Sequence, residues 1–425
     1  MNVWLIHLGE LLPIDGPYRI HRYGVLSRLL AERGHRAVQW APTFSHHLKR
    51  QRADRDCTVP VESKWSLELL HGPGYRRHVS LRRMRFHGEM ARAFARRAPR
   101  LEPPDAILCS LPAPEMCVAA LDYAEPRGIP VIADVRDVWP DMLVDVFPRA
   151  LRPVARLLFR GWDRRNETIF RRADAIYGTS QGFLDWGLRY AGRGQRPADR
   201  VFPLAYPQSP LSPAERAAAE RRWDERGVRD DGTFRVCFLG TFGRLTDPES
   251  AVRAARLLKK KSSADIRFVL CGDGGSLARC RKAAAGLDHV LLPGWVDAAD
   301  ATVLLERCRL GVLPYRPGMK TTFPNKLMDY FREGLPVVAS RSGELAEFLE
   351  SHRCAALYAP GDAAGLADAI LKFHDSPDLL RERSQAVRAV YAERFEPGRV
   401  YGEVIAGLEA FARPAGSPGW LARAA

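Results

Sequence analysis

Along nearly all of its 425 residues the chain alternates short runs rich in Val, Ile and Leu with longer stretches of helical periodicity. That rhythm is the mark of βαβ units, whose parallel strands are covered by helices on both faces and so read as continuous apolar runs. VWLIHL, RAVQWA, DAILCSL, PVIADV and DAIYGTS are predicted strands in the first half; FRVCFLG, IRFVLCG, HVLLPG, RLGVLPY, LPVVAS and AALYAP are predicted in the second. Between the first two, Tyr23, Leu26, Leu29 and Leu30 recur at helical spacing within Ile20 to Arg33, and Gly34 stops the helix. The rhythm breaks at YPQSPLSPAERAAAERRWDERGVRDDGT, where prolines, a charged helix and a polar turn predict a domain boundary near Pro207 to Gly232. The expected fold is α/β with two Rossmann-like domains facing across a cleft, residues 1–205 and 234–396, joined by a linker at 206–233. A C-terminal helix at 397–413 is expected to pack back on the first domain, and 414–425 to form a tail. Ligands of open parallel sheets bind at the carboxyl ends of the strands.

Hydrophobic residues make up 46% and charged residues 27%, which excludes extended disorder. No run approaches the roughly 18 apolar residues of a spanning helix, and MNVWLIHLGELLPIDG turns polar too early for a signal peptide, so a cytoplasmic protein is expected. The eight cysteines have irregular spacing and mostly lie in apolar runs, which favours reduced core residues over disulfides or metal ligands. Of the net charge of +15, residues 1–205 carry +11 (33 Lys and Arg against 22 Asp and Glu) and residues 206–425 carry +4 (32 against 28). The first half is therefore expected to face an anionic partner. No recognised nucleic-acid module accompanies the charge, so no nucleic-acid partner is expected.

Several loops suit a phosphate. LGELLPIDGPYRIHRYGVL brings Gly9 and Gly16 from the first strand into a helix, and it lacks the GxGxxG pattern of dinucleotide folds. FLGTFGRL places Gly240, Gly243 and Arg244 beyond one strand, and VLCGDGGSL places Gly272, Asp273 and Gly274 beyond the next. Arg244 is either a fork for diphosphate oxygens or a solvated arginine. In PYRPGMKTTFPNKLMDYFREG the Pro-Asn pair opens a helix at Asn325, with Lys326 in its first turn and Asp329 about one turn on. There a lysine could neutralise a diphosphate and a carboxylate could take both hydroxyls of a ribose; a surface charge and a dipole-complementing acid are the plain alternatives.

On these motifs, from LPIDGPYRIHRYGVLSRLLAERGHRAV through VIADVRDVWPD and ADAIYGTS to GTFGR, CGDGG, LPGWVD and PNKLMDY, the chain resembles the retaining GT-B glycosyltransferases of family 4. Within them it is similar to bacterial cell-surface polysaccharide transferases of the O-antigen fucosaminyl-transferase-like branch. The resemblance implies a nucleoside diphosphate sugar donor, UDP-linked and bound by the domain at 234–396, with the acceptor on the domain at 1–205, and no metal and no other cofactor. It puts Gly16 beside the diphosphate, makes Arg244 and Lys326 its cationic clamp, gives Asp329 the ribose, and has Trp295 and Val296 read the base. It also marks departures. The first of the family's two acids should stand eight residues before Asp329, where this chain has Thr321. Arg136, followed by Asp137, occupies a place where many relatives put a histidine beside the donor sugar, so the resemblance makes Arg136, Asp137 and Thr321 the expected catalytic positions; Glu249 stands near a second basic position.

In FPRALRPVARLLFRGWDRRNETIFRRADAI, Arg152, Arg156, Arg160 and Arg164 recur every four residues beside Leu151, Val154, Leu158 and Trp162. This is either a basic amphipathic helix for an anionic membrane surface or an ordinary core helix with a solvated arginine face. A glycan or polyprenyl-diphosphate-linked acceptor would fit the first alternative. Two rival functions share the architecture: a sugar-nucleotide epimerase, which needs no acceptor, and a non-catalytic partner of another transferase.

Overall fold

The structure is a computed structural model that describes residues 1–16, 20–76, 80–145, 147–207, 210–243, 245–317 and 323–412. Contacts divide the chain into two units. Residues Met1–Pro207 and the segment from Pro397 onward form the first, and Gln208–Glu396 the second.

The first unit is built on an eight-stranded sheet. Its strands are β1 (Asn2–Ile6), β2 (Arg36–Pro42), β3 (Cys57–Glu62), β4 (Trp65–Leu70), β5 (Ala106–Leu111), β6 (Val131–Val135), β7 (Ala175–Gly178) and β8 (Arg200–Val201), in the order β3-β4-β2-β1-β5-β6-β7-β8. Every pairing is parallel except β3 with β4. The run β4-β2-β1-β5-β6-β7 is a Rossmann order whose direction of progression reverses between β1 and β5. Alternate residues of β1 feed opposite faces: Val3 and Leu5 enter one apolar cluster, Trp4 and Ile6 the other. The helix Arg22–Glu32 stands where the periodicity puts it. The helix Pro397–Phe411 belongs to this unit, burying Val400, Tyr401, Val404, Ile405 and Leu408 in the cluster that holds Leu26 and Leu30.

The second unit has six strands, all paired in parallel: β9 (Phe234–Leu239), β10 (Ile266–Cys271), β11 (Val290–Gly294), β12 (Leu310–Leu313), β13 (Val337–Ser340) and β14 (Ala355–Tyr358). Their order, β11-β10-β9-β12-β13-β14, is again Rossmann-like, with its switch point between β9 and β12. The charged helix of the segment read as a linker, Pro213–Glu225, is part of this unit: Ala219 and Trp223 are fully buried in its core, and the Trp223 indole donates to the Asp300 carbonyl at 2.8 Å. Seven of the eight cysteines are buried and all eight are unpaired thiols. No helix among the described residues is long and apolar enough to cross a membrane.

Candidate functional site

In the second unit the loops at the carboxyl ends of the strands are stitched into one surface. The Gly240 N–H donates to the Cys271 carbonyl at 3.0 Å, and Gly272 donates to Gly294 at 2.8 Å. Thr246 bridges to Tyr315 across the switch point, and Asp247 donates to the Pro314 carbonyl at 2.8 Å. The glycines serve this packing. A Cβ on Gly272, whose φ is +139°, would lie 1.7 Å from the Gly240 carbonyl oxygen, so the GDGG loop needs glycine to seat its neighbouring loop. Gly274 is likewise pressed on the Phe242 backbone, and Gly243 meets only its neighbour Thr241. The contacts of Gly272 and Gly274 are with their own protein's backbone, a structural demand that the glycine count alone does not separate from ligand approach.

The helix Asn325–Arg332 opens directly after Pro324. Tyr330 fixes it on the sheet: its Oη accepts the Leu239 N–H at 2.9 Å, and its ring lies where Gly311 has no side chain. This anchoring sets Lys326. Its Nζ lies 4.3 Å above the Phe238 ring and 5.7 Å from the Tyr315 ring, in the space that a Cβ on Gly240 would invade at 2.6 Å. Among the described residues no carboxylate pairs with it, and burial pulls its pKa from 10.5 down to about 8. Lys326 is thus a half-buried cation set against two aromatic faces at the topological switch point.

Asp329 pairs with Arg332 at 3.3 Å and is partly buried. Asn325, the first helical residue, is exposed. Trp295 is 74% exposed, which removes the packed-aromatic alternative, whereas Val296 packs against the core. Glu249 pairs with Arg279 at 2.9 Å. Arg244 and Thr321 lie outside the described residues.

The first unit has its own polar centre at the carboxyl ends of β1 and β6. Arg22 and Asp134, both fully buried, form a bidentate pair at 3.0 and 3.1 Å; Tyr23 Oη donates to Asp134 at 3.1 Å, and Arg22 also donates to the Phe202 carbonyl. Burial opposes the Arg22 charge, but the Asp134 carboxylate together with the Tyr401 and Tyr23 hydroxyls holds its pKa above the ordinary value. Two residues on, Arg136 is ion-paired to Glu10, whose other oxygen accepts the Tyr23 N–H at 2.9 Å. Asp137 accepts the Val138 N–H at 2.9 Å, and burial pushes its pKa up to about 6. His7, stacked on Tyr23 at 5.3 Å, is held neutral by burial and by Arg136. Gly16, at φ +120°, closes the short turn Pro13–Asp15. Glu10 escapes the sequence reading because its partner lies 126 residues away; its only local signal is an acid inside the apolar LGELL.

The arginine stripe lies on the helix Arg152–Arg172. The core-helix alternative fails for its first half: Leu151, Val154, Leu157 and Leu158 are 51, 57, 65 and 73% exposed. It holds for Trp162, which is buried and stacks on Trp139 at 5.4 Å. Arg156, Arg160 and Arg164 are exposed; Arg152 pairs with Asp145 at 3.2 Å and Arg156 with Asp141 at 3.1 Å.

Residues 233–376, most of the second unit, match the family described as "Glycosyl transferases group 1". The D-inositol 3-phosphate glycosyltransferase of Pseudarthrobacter chlorophenolicus is 30% identical over 206 residues, 44% of this chain and 45% of that protein. The chain spans less than half the length of the curated relatives it matches. Among solved structures, the sucrose-phosphate synthase of Thermosynechococcus elongatus superposes with a TM-score of 0.67 at 17% identity, over 96% of this chain and 99% of that one. An Anabaena protein, HepE, solved in complex with UDP and glucose, gives 0.61 at 14% identity over 96% and 100%. The fold is therefore GT-B, two Rossmann-like α/β domains with parallel sheets.

Proposed function

We propose that this chain is a retaining glycosyltransferase of family 4 type that takes a sugar from a UDP-sugar and passes it to a glycan or polyprenyl-diphosphate-linked acceptor in bacterial surface polysaccharide synthesis. The observation that carries the reading is Lys326, a half-buried ammonium in the first turn of a helix, set against aromatic rings and with no carboxylate partner among the described residues. Two findings support it: the match of this unit to group 1 glycosyltransferases, and the UDP bound by a GT-B neighbour.

The chemistry follows from charge. The acceptor hydroxyl oxygen attacks the anomeric carbon as the bond to the diphosphate oxygen breaks; the departing diphosphate gains negative charge and takes the hydroxyl proton. A fixed cation and helix N–H groups at that oxygen gain more in the transition state than in the ground state. A screen of nucleoside diphosphate sugars for UDP release, with and without lipid-linked acceptors, tests the reading. Acceptor-dependent UDP release is the expected result; an altered sugar nucleotide from donor alone would indicate an epimerase.

Asp329 tests the ribose assignment. Asp329→Asn is expected to weaken UDP binding about tenfold, the scale of a charged hydrogen bond, and to leave a 2′,3′-dideoxy analogue little affected in calorimetry. Equal losses for both ligands would assign Asp329 a structural role.

The exposed leucines and arginines of Arg152–Arg172 support docking of the first unit on an anionic membrane. Basic side chains contribute on the order of 1 kcal/mol each near an anionic leaflet, screened over a Debye length of about 8 Å at physiological salt. In liposome co-sedimentation the parent is expected to bind anionic vesicles at low salt and to release them at high salt. Gln at Arg152, Arg156, Arg160 and Arg164, or Ser at Leu157 and Leu158, should abolish sedimentation. Equal sedimentation of both variants would make the stripe a solvated face and favour a soluble acceptor.

A further inference from the structure

In the first unit, Lys49 has no carboxylate partner among the described residues. Lys49 follows β2 in a tight turn, its N–H donating to the Ser45 carbonyl at 2.9 Å, and it takes the left-handed conformation at φ 55°. A lysine gains nothing locally from that conformation, which glycine or asparagine adopts at lower cost. Its Nζ is shielded from solvent and finds no hydrogen-bond partner among the described residues; it lies 4.9 Å from the Tyr75 ring centroid. Tyr75 follows β4 and is held in place by His46, whose Nδ1 is 2.6 Å from its Oη. On the same ring, at 5.8 Å, and 4.6 Å from the ring of Trp139, sits the guanidinium of Arg83. Arg83 lies in the first turn of the helix Leu81–Arg97, which Ser80 caps by accepting the Arg83 N–H. β2, β4 and β6 run parallel, so these residues share the carboxyl end of one sheet.

We infer that Lys49 and Arg83 form a binding site for a phosphate or diphosphate group, framed by Tyr75 and Trp139. Two like charges brought together against aromatic faces disfavour each other: burial and Arg83 lower the Lys49 pKa. An anion between them reverses that repulsion. A phosphate suits the pair better than a carboxylate, because its three or more oxygens can meet both an ammonium with three donors and a guanidinium fork. As a site on the acceptor, the inference rests on reading the first unit as the acceptor-binding one. The phosphate would then belong either to a lipid diphosphate or to a soluble phosphorylated sugar.

Binding of inorganic pyrophosphate to the full chain, carrying Lys326→Met to weaken the second unit's anion site and with no donor present, tests the site without relying on sugar transfer. Lys49→Asn removes the charge and keeps a residue that tolerates the left-handed turn, so its melting temperature should not fall. Its pyrophosphate affinity should drop by about tenfold or more, and Arg83→Gln should do the same. Unchanged affinity in both variants, or no pyrophosphate binding by the Lys326→Met chain, overturns the inference. Glucose 1-phosphate and vesicles carrying a polyprenyl diphosphate then identify the source: the probe whose binding depends on Lys49 is the class of acceptor. Dependence with neither overturns the acceptor assignment.

Discussion

Replacing Lys326 by methionine is expected to raise the dissociation constant for UDP by about tenfold to a hundredfold. That is the loss of a charge-assisted hydrogen bond worth about 1.5–3 kcal/mol. Methionine keeps the length and the contact with Phe238 while removing the ammonium. The pH dependence is specific to this lysine. Its pKa is about 8 in the free protein, so UDP affinity should fall as pH rises through about 8, when the ammonium gives up its proton. The parent and variant should therefore converge above that pH. Stability of the ligand-free protein follows the opposite sign. Between about 8 and 10.5 the unfolded chain holds a proton that the native lysine has released, so the lysine's destabilising effect is relieved as pH rises. At pH 7 Lys326→Met should accordingly melt higher than the parent while binding UDP worse, a trade of function for stability. Calorimetric titrations from pH 6.5 to 9.5 check the first expectation and thermal scans the second. A flat ratio of parent to variant affinity across that range would place the phosphate elsewhere.

Removing one side of the buried pair in the first unit is expected to have the largest effect on stability. Asp134→Leu leaves Arg22, which is fully buried, without its bidentate partner and Tyr23 without its acceptor. Breaking such a pair costs about 3–5 kcal/mol, because the remaining charge stays desolvated. The first unit's urea transition should move down by roughly 1–3 M on that basis. The double variant Arg22→Met, Asp134→Leu removes both charges and should recover most of the loss. If the double variant is as unstable as the single, packing around β6 and not the charge pair is the cause. The tryptophans Trp4, Trp40 and Trp65, all in the first unit's core, give the signal to follow.

The central strands of both sheets are legible in the sequence because they are buried on both faces, so FRVCFL and AILCSL show as apolar runs interrupted only by Arg235 and Ser110. β3 and β4 are not. CTVPVE alternates in burial, contains Pro60 and forms the antiparallel edge, so it looks like loop, and WSLELL is interrupted by polar residues. The helix that presents Lys326 is legible from Pro324, Asn325 and Gly334, since local rules govern where a helix begins and ends. What holds it is not: Tyr330 reaches back 91 residues to Leu239. The same distance hides the pairs of Arg22 with Asp134 and Arg136 with Glu10. The glycine loops illustrate the opposite case. Gly272 stands out in the sequence as a phosphate-loop residue, yet its immediate demand is the carbonyl of Gly240. The stripe of arginines reads correctly as amphipathic, but whether its leucines meet a core or solvent depends on what packs beside them, which periodicity does not encode.

A crystal structure of the protein soaked with UDP tests the central claim most directly. A diphosphate oxygen should lie within hydrogen-bond distance of Lys326 Nζ, at about 2.7–3.2 Å, beside the Gly240 turn, with the ribose at Asp329. UDP bound away from the Asn325–Arg332 helix, or a Lys326 still stacked on Phe238 with no phosphate in reach, would contradict it.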